Sequence, residues 1–377
     1  MTTIYLDYAA TTPVDEQVAE KMAACLTRSG VFYNPASQHA GGQLARAYID
    51  EARADVAALI HADPSEIIWT SGATESNNLA LKGAAHLYKR RGQHIVTMKT
   101  EHKAVLDACQ HLEKEGYLVT YLTPEPSGLL DLDKLKNALR PDTVLVSVMH
   151  VNNELGVVQD IDRIANITSE RGILFHVDAA QSAGKADIDV TRTHIDLLSL
   201  CAHKVYGPKG IGALYLRKRP RVRVEPFIHG GGHEQGMRSG TLATHQIVGM
   251  GAAFALAKQC KQQDEVHVKT LRDHFLDGLK TIPNLRLNSD LRYCVPHILN
   301  VRFEGMLADA ILAQLPEIAT STASACQGKG TEGSYVLRAI GLTESQAKSS
   351  IRFSFGRYTT MDDIDKVVGL INAIFKS

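Results

Sequence analysis

The chain has 377 residues, 44% of them hydrophobic and 22% charged, which is a globular composition with room for one large domain and a smaller one. Its 41 Lys and Arg residues balance 41 Asp and Glu, and no long basic run is present, so nothing points to a polyanion partner. The opening MTTIYLDYAATTP lacks the basic and apolar regions of a secretory signal, and no stretch reaches the roughly 20 apolar residues of a membrane span, so a cytoplasmic location is expected.

In chain order, Val14–Thr27 reads as an amphipathic helix, Asn34–Ser37 as a loop and Gln43–Ile60 as a second helix, with Leu44, Ala47 and Tyr48 at near-helical spacing. The β-type run Glu66–Thr70 opens into Ser71–Ser76, followed by a helix over Asn77–Arg90. Strand His94–Met98, a polar turn and helix Lys103–Glu115 come next, then strand Leu118–Leu122 and helix Asp131–Leu139. Strand Thr143–Val148 runs into His150–Glu154, helix Ile161–Glu170 leads to strand Ile173–Val177, and strands Asp196–Leu200 and Gly212–Leu216 follow. Continuous apolar strands alternating with helices predict a parallel-rich α/β sheet buried on both faces. From about Gln246 the pattern changes to a long helix, Ile247–Gly278. Short strands at His297–Phe303 and Ser350–Ser354 follow, with helices at Leu307–Gln314, Tyr335–Ile340 and Met361–Phe375. The expected division is a large α/β domain over residues 15–250 and a small α+β domain built from 1–14 and 251–377. No repeat or low-complexity linker interrupts it.

The polar clusters lie where strands end, which is where open α/β sheets bind ligands. They are Ser71–Ser76, Thr100–His102, Asn152–Glu154, Asp178–Gln181 and Cys201–Lys204. Gly72, Ala73 and Thr74 at a helix start offer free amides to a phosphate; alternatively, Ser71 or Thr74 simply caps the helix. The segment matches neither GxGxxG nor GxxxxGK[ST]. Asp178 ends an apolar strand and needs a cation, which a pyridinium nitrogen supplies as well as a salt bridge does. Lys204 follows another apolar strand; it either leaves for solvent or is kept for Schiff-base chemistry. His102 is a candidate to stack on an aromatic ring. Together these residues fit pyridoxal phosphate.

The six cysteines (Cys25, Cys109, Cys201, Cys260, Cys294 and Cys326) form no CxxC pair or disulfide framework, and most are expected to be buried, inert thiols. Cys326 differs: it sits in the small, polar, Gly-rich stretch Ser321–Ser334, where an exposed loop is expected, with Lys329 nearby to favour a thiolate. There is no HExxH; His229 and His233 flank Gly230–Gly232, too little to define a metal site, and no resident metal is expected.

The segments YLDYAATTPVD, NPASQH, SGATESNNLALKG, KTEHKAVLD, MHVNNELGVVQDI, HVDAAQS, HKVYGPKGIGALY, HGGGHEQGMRSGT, SACQGK and SSIRFSFGR run nearly end to end. In them the chain resembles cysteine desulfurases of the IscS/NifS type, in the class V group of fold-type I PLP enzymes. The resemblance implies a mostly parallel seven-stranded sheet flanked by helices, and a reaction that takes sulfur from L-cysteine, leaving alanine. Lys204 would carry PLP, Asp178 would pair with the pyridine nitrogen, Gln181 would meet the phenolic oxygen, and His102 would stack on the ring and move protons. Ala73, Thr74 and His203 would bind phosphate, Cys201 would face it, and Thr241 would reach the phosphate of the neighbouring subunit in a homodimer. Asn34, Asn153 and Arg352 would orient the substrate, Asn153 also facing the cofactor. Cys326 would accept the sulfur as a persulfide, and is a candidate for a transient iron–sulfur contact. The acceptor would be an iron–sulfur scaffold or a tRNA-thiolation protein.

Two departures stand out. The family usually has Ser where this chain has Cys201, and a thiol is the weaker donor, so looser cofactor retention is expected. The chain also stops at Ser377, soon after its last predicted helix. Longer members carry an extension that docks an iron–sulfur scaffold, and this puts that docking mode in question. Selenocysteine lyase or aminotransferase chemistry, and a non-catalytic sulfur-carrier subunit, are the competing readings.

Overall fold

The computed structural model describes residues 3–322 and 332–376. The chain runs β1 (Ile4–Tyr5), α1 (Glu16–Ala23), α2 (Ala40–Leu59), β2 (Ile67–Thr70), α3 (Ala73–Tyr88), β3 (His94–Met98), α4 (Lys103–Lys114) and β4 (Leu118–Leu122). It continues through α5 (Leu132–Ala138), β5 (Thr143–Met149), α6 (Ile161–Ser169), β6 (Leu174–Asp178), β7 (Leu197–Cys201), β8 (Gly212–Leu216) and α7 (Thr244–Gly278). The last part holds β9 (Leu285–Leu287), β10 (Ile298–Phe303), α8 (Ala308–Leu312), β11 (Ile318–Ala319), β12 (Ser321–Thr322), α9 (Tyr335–Ala339), α10 (Glu344–Lys348), β13 (Ser350–Ser354) and α11 (Met361–Ile374).

Seven strands form one sheet in the order β2–β8–β7–β6–β5–β3–β4. All its pairings are parallel except those of β8, which runs antiparallel to both neighbours. Successive residues of one strand face opposite layers, as the two-residue period requires. Leu198 and Leu200 pack with Ile49, Val56, Phe175, Ile247 and Phe254, whereas Leu197 packs with Leu79, Leu81, Val105 and Leu112. The sheet interior is not purely apolar. His94 meets Thr143 Oγ1 at 2.7 Å and Thr120 Oγ1 at 2.9 Å. His176 meets Ser147 Oγ at 2.8 Å and Ser199 Oγ at 3.0 Å. Burial pushes His176 down to about 3, so it is a neutral imidazole with both nitrogens engaged.

A second sheet, β12–β13–β10–β9, is antiparallel, and β1 pairs in parallel with β11. Its core joins Leu6 to Val268, Phe275, Val301, Phe303, Phe353, Ile364 and Val367. Helix α7, 35 residues long, serves both cores: Ile247–Ala257 packs in the first and Val268–Phe275 in the second. Helix α3 starts at Ala73, four residues before its predicted start, because the apolar period begins only once the helix is under way.

Candidate active site

The carboxyl ends of β5, β6 and β7, the start of α3, the N-terminal segment at Ala9–Thr11 and Arg352 of β13 enclose a cavity of about 630 Å³. Ala73, Thr74, His102, Asn153, Asp178, Gln181, Cys201, His203, Lys204 and Arg352 all line it, so ten of the sequence candidates meet in one place. Asn34 and Thr241 do not. The Asn34 side chain accepts a hydrogen bond from Ala36 N at 2.9 Å within its own exposed loop, and Thr241 is exposed. Cys326 lies outside the described residues.

At the phosphate end the geometry decides between the two sequence readings. The N-cap of α3 is Gly72, at φ 153° and ψ 176°, and no side chain caps the helix. Neither Ser71 nor Thr74 is the cap, and the first-turn amides stay available to an anion. A Cβ on Gly212 of β8 would stand 2.6 Å from Gly72 Cα and 2.5 Å from Leu200 O, so the turn lies directly on the strand. Burial works against the Glu75 carboxylate, but its bonds to Arg238 Nε (3.0 Å) and Ser71 N (2.7 Å) outweigh burial and hold it below the usual range. That charge is therefore compensated rather than facing an incoming phosphate.

Asp178, 2% exposed, accepts from Asn77 Nδ2 at 2.7 Å and from Ala180 N at 3.0 Å. Lys204 Nζ and Gln181 Nε2 (2.7 Å) both donate to Ala9 O, which brings amine and amide together. Lys185 Nζ donates to Gln181 Oε1 at 3.3 Å. Burial, with Lys204 adding to it, pushes Lys185 down to about 7.

His102 caps α4, its Nδ1 accepting from Ala104 N at 3.1 Å, which leaves the ring proton on Nε2. Burial holds His102 below its ordinary value, Asp178 opposes and Lys204 reinforces. His203 Nδ1 meets Thr11 Oγ1 at 3.2 Å, and burial with Lys204 and Lys209 pushes it to about 4. Both imidazoles are neutral near pH 7. Cys201 is buried at the end of β7, with Sγ 3.9 Å from Ala180 O, and burial pushes its thiol to about 11. It stays protonated and is a poor donor.

Arg352 comes from the second core. Nη2 donates to Asp7 Oδ1 at 2.8 Å and Nη1 to Asn153 O at 2.9 Å. Arg352 Nε, Asn153 Oδ1 and Asn77 Oδ1 are buried without a hydrogen-bond partner among the described residues. Asn77, Lys185 and Asp7 are the site residues that sequence reasoning missed; Lys185 and Asp7 carry no signal that singles them out. Asn77 falls one turn past the glycine cradle, which is the one hint that existed.

Pyridoxal phosphate fits this donor set. The uncapped α3 amides suit its phosphate, Asp178 suits a protonated ring nitrogen, and Lys204 suits its carbonyl carbon. Unpartnered polar atoms on Asn77, Asn153 and Arg352 are what a site built for a polar guest leaves behind. Among the described residues no group of three or more His, Cys, Asp or Glu could hold a metal ion, and no helix is long and apolar enough to cross a membrane.

The aminotransferase class-V family model matches residues 4–367. A cysteine desulfurase IscS of Tolumonas auensis is 59% identical over 369 residues, spanning 98% of this chain and 91% of that protein. One of Vibrio atlanticus is 57% identical over the same shares. Among solved structures, a NifS-like protein superposes with a TM-score of 0.93 at 34% identity, covering 100% of both chains. SspA in complex with cysteine gives 0.83 at 41% identity, covering 95% of this chain and 100% of that one.

Proposed function

This chain belongs to the aminotransferase class-V family of PLP enzymes, and on that premise we propose that it is a cysteine desulfurase. It takes sulfur from L-cysteine, releases L-alanine and leaves a persulfide on Cys326. The observation that carries this reading is the union in one cavity of Lys204, Asp178, the uncapped start of α3 and the buried guanidinium of Arg352.

PLP, when bound, supplies an electrophilic carbon and an electron-withdrawing ring. The chain's own groups do the rest. The first-turn amides of α3, with Thr74, would hold the phosphate, and His203 would approach it as a neutral imidazole. Asp178, braced by Asn77, would keep the ring nitrogen protonated. Gln181, oriented by Lys185, would present the Nε2 proton not given to Ala9 O to the phenolic oxygen. Arg352 grips the substrate carboxylate through its remaining Nη protons, with Asn153 beside it. Lys204 Nζ takes the Cα proton and returns it, and His102 Nε2 passes a proton at the same face. The Cys326 thiolate attacks the substrate sulfur: an S–S bond forms, the C–S bond breaks, and its electron pair stays with carbon and takes up a proton. L-cysteine and one thiol become L-alanine and one persulfide.

Two copies would share their sites, with Thr241 reaching the partner's phosphate, and the persulfide would pass to an iron–sulfur scaffold or a tRNA-thiolation protein in the cytoplasm. The division would be residues 15–250 and 1–14 with 251–377; two separate cores support a two-part division, with α7 packing in the first core as far as Ala257 and in the second from Val268. The test is to give PLP-loaded protein one equivalent of L-cysteine per site and to measure alanine and protein-bound sulfane sulfur in wild type and Cys326→Ala. Wild type yields both in equal amounts and the variant yields neither; undiminished alanine from Cys326→Ala would sink the persulfide route.

A further inference from the structure

One charge on the cavity's carboxylate side has no part in the reaction just described. Asp7 forms an ion pair with Arg352, which is 3% exposed. Asp7 is itself held in place. Its Oδ2 accepts from Ser321 Oγ at 2.9 Å, its carbonyl accepts from Tyr5 Oη at 3.0 Å, and its backbone bridges Ser354. The carboxylate is therefore a fixed feature of the site rather than a side chain passing through solvent.

Among the described residues each Nη of the guanidinium makes one hydrogen bond and keeps a second proton. Nη1 is taken by Asn153 O and Nη2 is shared with Asp7, while Nε has no partner among the described residues. The remaining Nη protons suffice for one arriving carboxylate, on a cation that a fixed anion already pairs. A zwitterionic amino acid adds one charge of each sign, so the group Asp7–Arg352–substrate stays balanced. A second anion on the substrate side chain finds Arg352 already paired with Asp7 and the imidazoles of His102 and His203 neutral, so among the cavity's lining residues it has only Lys204, which is committed to the cofactor, and Lys209 at the phosphate end to turn to.

We infer that Asp7 is a specificity-determining residue which, acting through Arg352, restricts the site to amino acids with one carboxylate and an uncharged side chain. Amino acids with a second anion, such as L-aspartate and L-cysteine sulfinate, are the class it excludes. The inference rests on the reading of Arg352 as the carboxylate site, and it concerns selection rather than the sulfur chemistry.

The experiment titrates PLP-loaded protein with L-alanine and L-aspartate, following the absorption of the cofactor, and measures kcat and KM for L-cysteine alongside. In Asp7→Asn the ratio of aspartate to alanine affinity rises at least tenfold over wild type, KM for L-cysteine moves more than kcat, and Asp7→Glu restores the wild-type ratio. Asp7→Ser serves as a second variant if the first fails to fold. An unchanged ratio, or an equal loss of both ligands, overturns the inference and leaves Asp7 a structural anchor. Failure of the function itself has a different signature: wild type that binds alanine yet makes none from cysteine removes the desulfurase reading, while the binding ratio still tests Asp7.

Discussion

Glu154 shows how one carboxyl can carry a pH dependence into this fold. It is 2% exposed, next to Asn153, and Ser334 Oγ donates to it at 2.5 Å. Burial pushes its carboxyl up to about 7, against the pull of Ser334 and Arg352. The folded state keeps the proton where the unfolded chain, near 4.5, has lost it. Stability from this group is therefore greatest below about pH 4.5 and is lost as pH rises through about 7. Glu154→Gln removes that slope. The difference in unfolding free energy between variant and wild type should grow by about 2–3 kcal/mol across the window, read from urea denaturation at a series of pH values. The site's principal residues were legible at this scale because each stands at the end of an apolar run: Lys204, Asp178 and His102. Asp7, Asn77 and Lys185 were not, since a residue's partner 345 positions away, as Arg352 is from Asp7, leaves no trace in local pattern.

The start of α3 is where a backbone element becomes a binding group. Gly72 adopts a conformation with φ 153° that is essentially reserved for glycine, and Gly212 must also lack a Cβ for the turn to rest on β8. Gly72→Ala should cost about 1–3 kcal/mol of stability through backbone strain. It should also weaken PLP retention by more than tenfold, measured by dialysis against free cofactor and by thermal unfolding of the apo form. Wild-type retention in a variant that is merely less stable would show that the turn is not the phosphate site. Long elements were recoverable from periodicity: strands His94–Met98, Leu118–Leu122, Gly212–Leu216 and Ser350–Ser354 fall where the sequence places them. β1, β11 and β12, two residues each, and β9, three residues, are too short to show a period. They exist because a partner strand is already in place.

Across the whole molecule the two cores meet at Arg357. Its guanidinium pairs with Asp15 at 2.9 Å and with Asp264 of α7 at 2.8 Å, and lies 4.4 Å from the centre of the Tyr206 ring. It thus ties the N-terminal segment, the loop after Lys204 and the middle of α7 to the strand that carries Arg352. Arg357→Ala leaves two largely buried carboxylates without their cation and should cost about 2–4 kcal/mol. Calorimetry should then show two transitions in the variant against one in wild type; one sharp transition at lower temperature in the variant would mean that α7 alone couples the cores.

The imidazoles inside the large sheet have a consequence for how the site comes to be accurate. Strands rich in Val, Ile and Leu can slide past one another by two residues and still bury the same kind of surface. His94 and His176 remove that freedom, because each needs a hydroxyl on either side at one alignment of three neighbouring strands. A slipped strand would strand a polar ring in the interior and carry Asp178 or Lys204 about 6–7 Å from its place. Errors of assembly are thus penalised before any cofactor arrives, by two side chains that never meet the substrate.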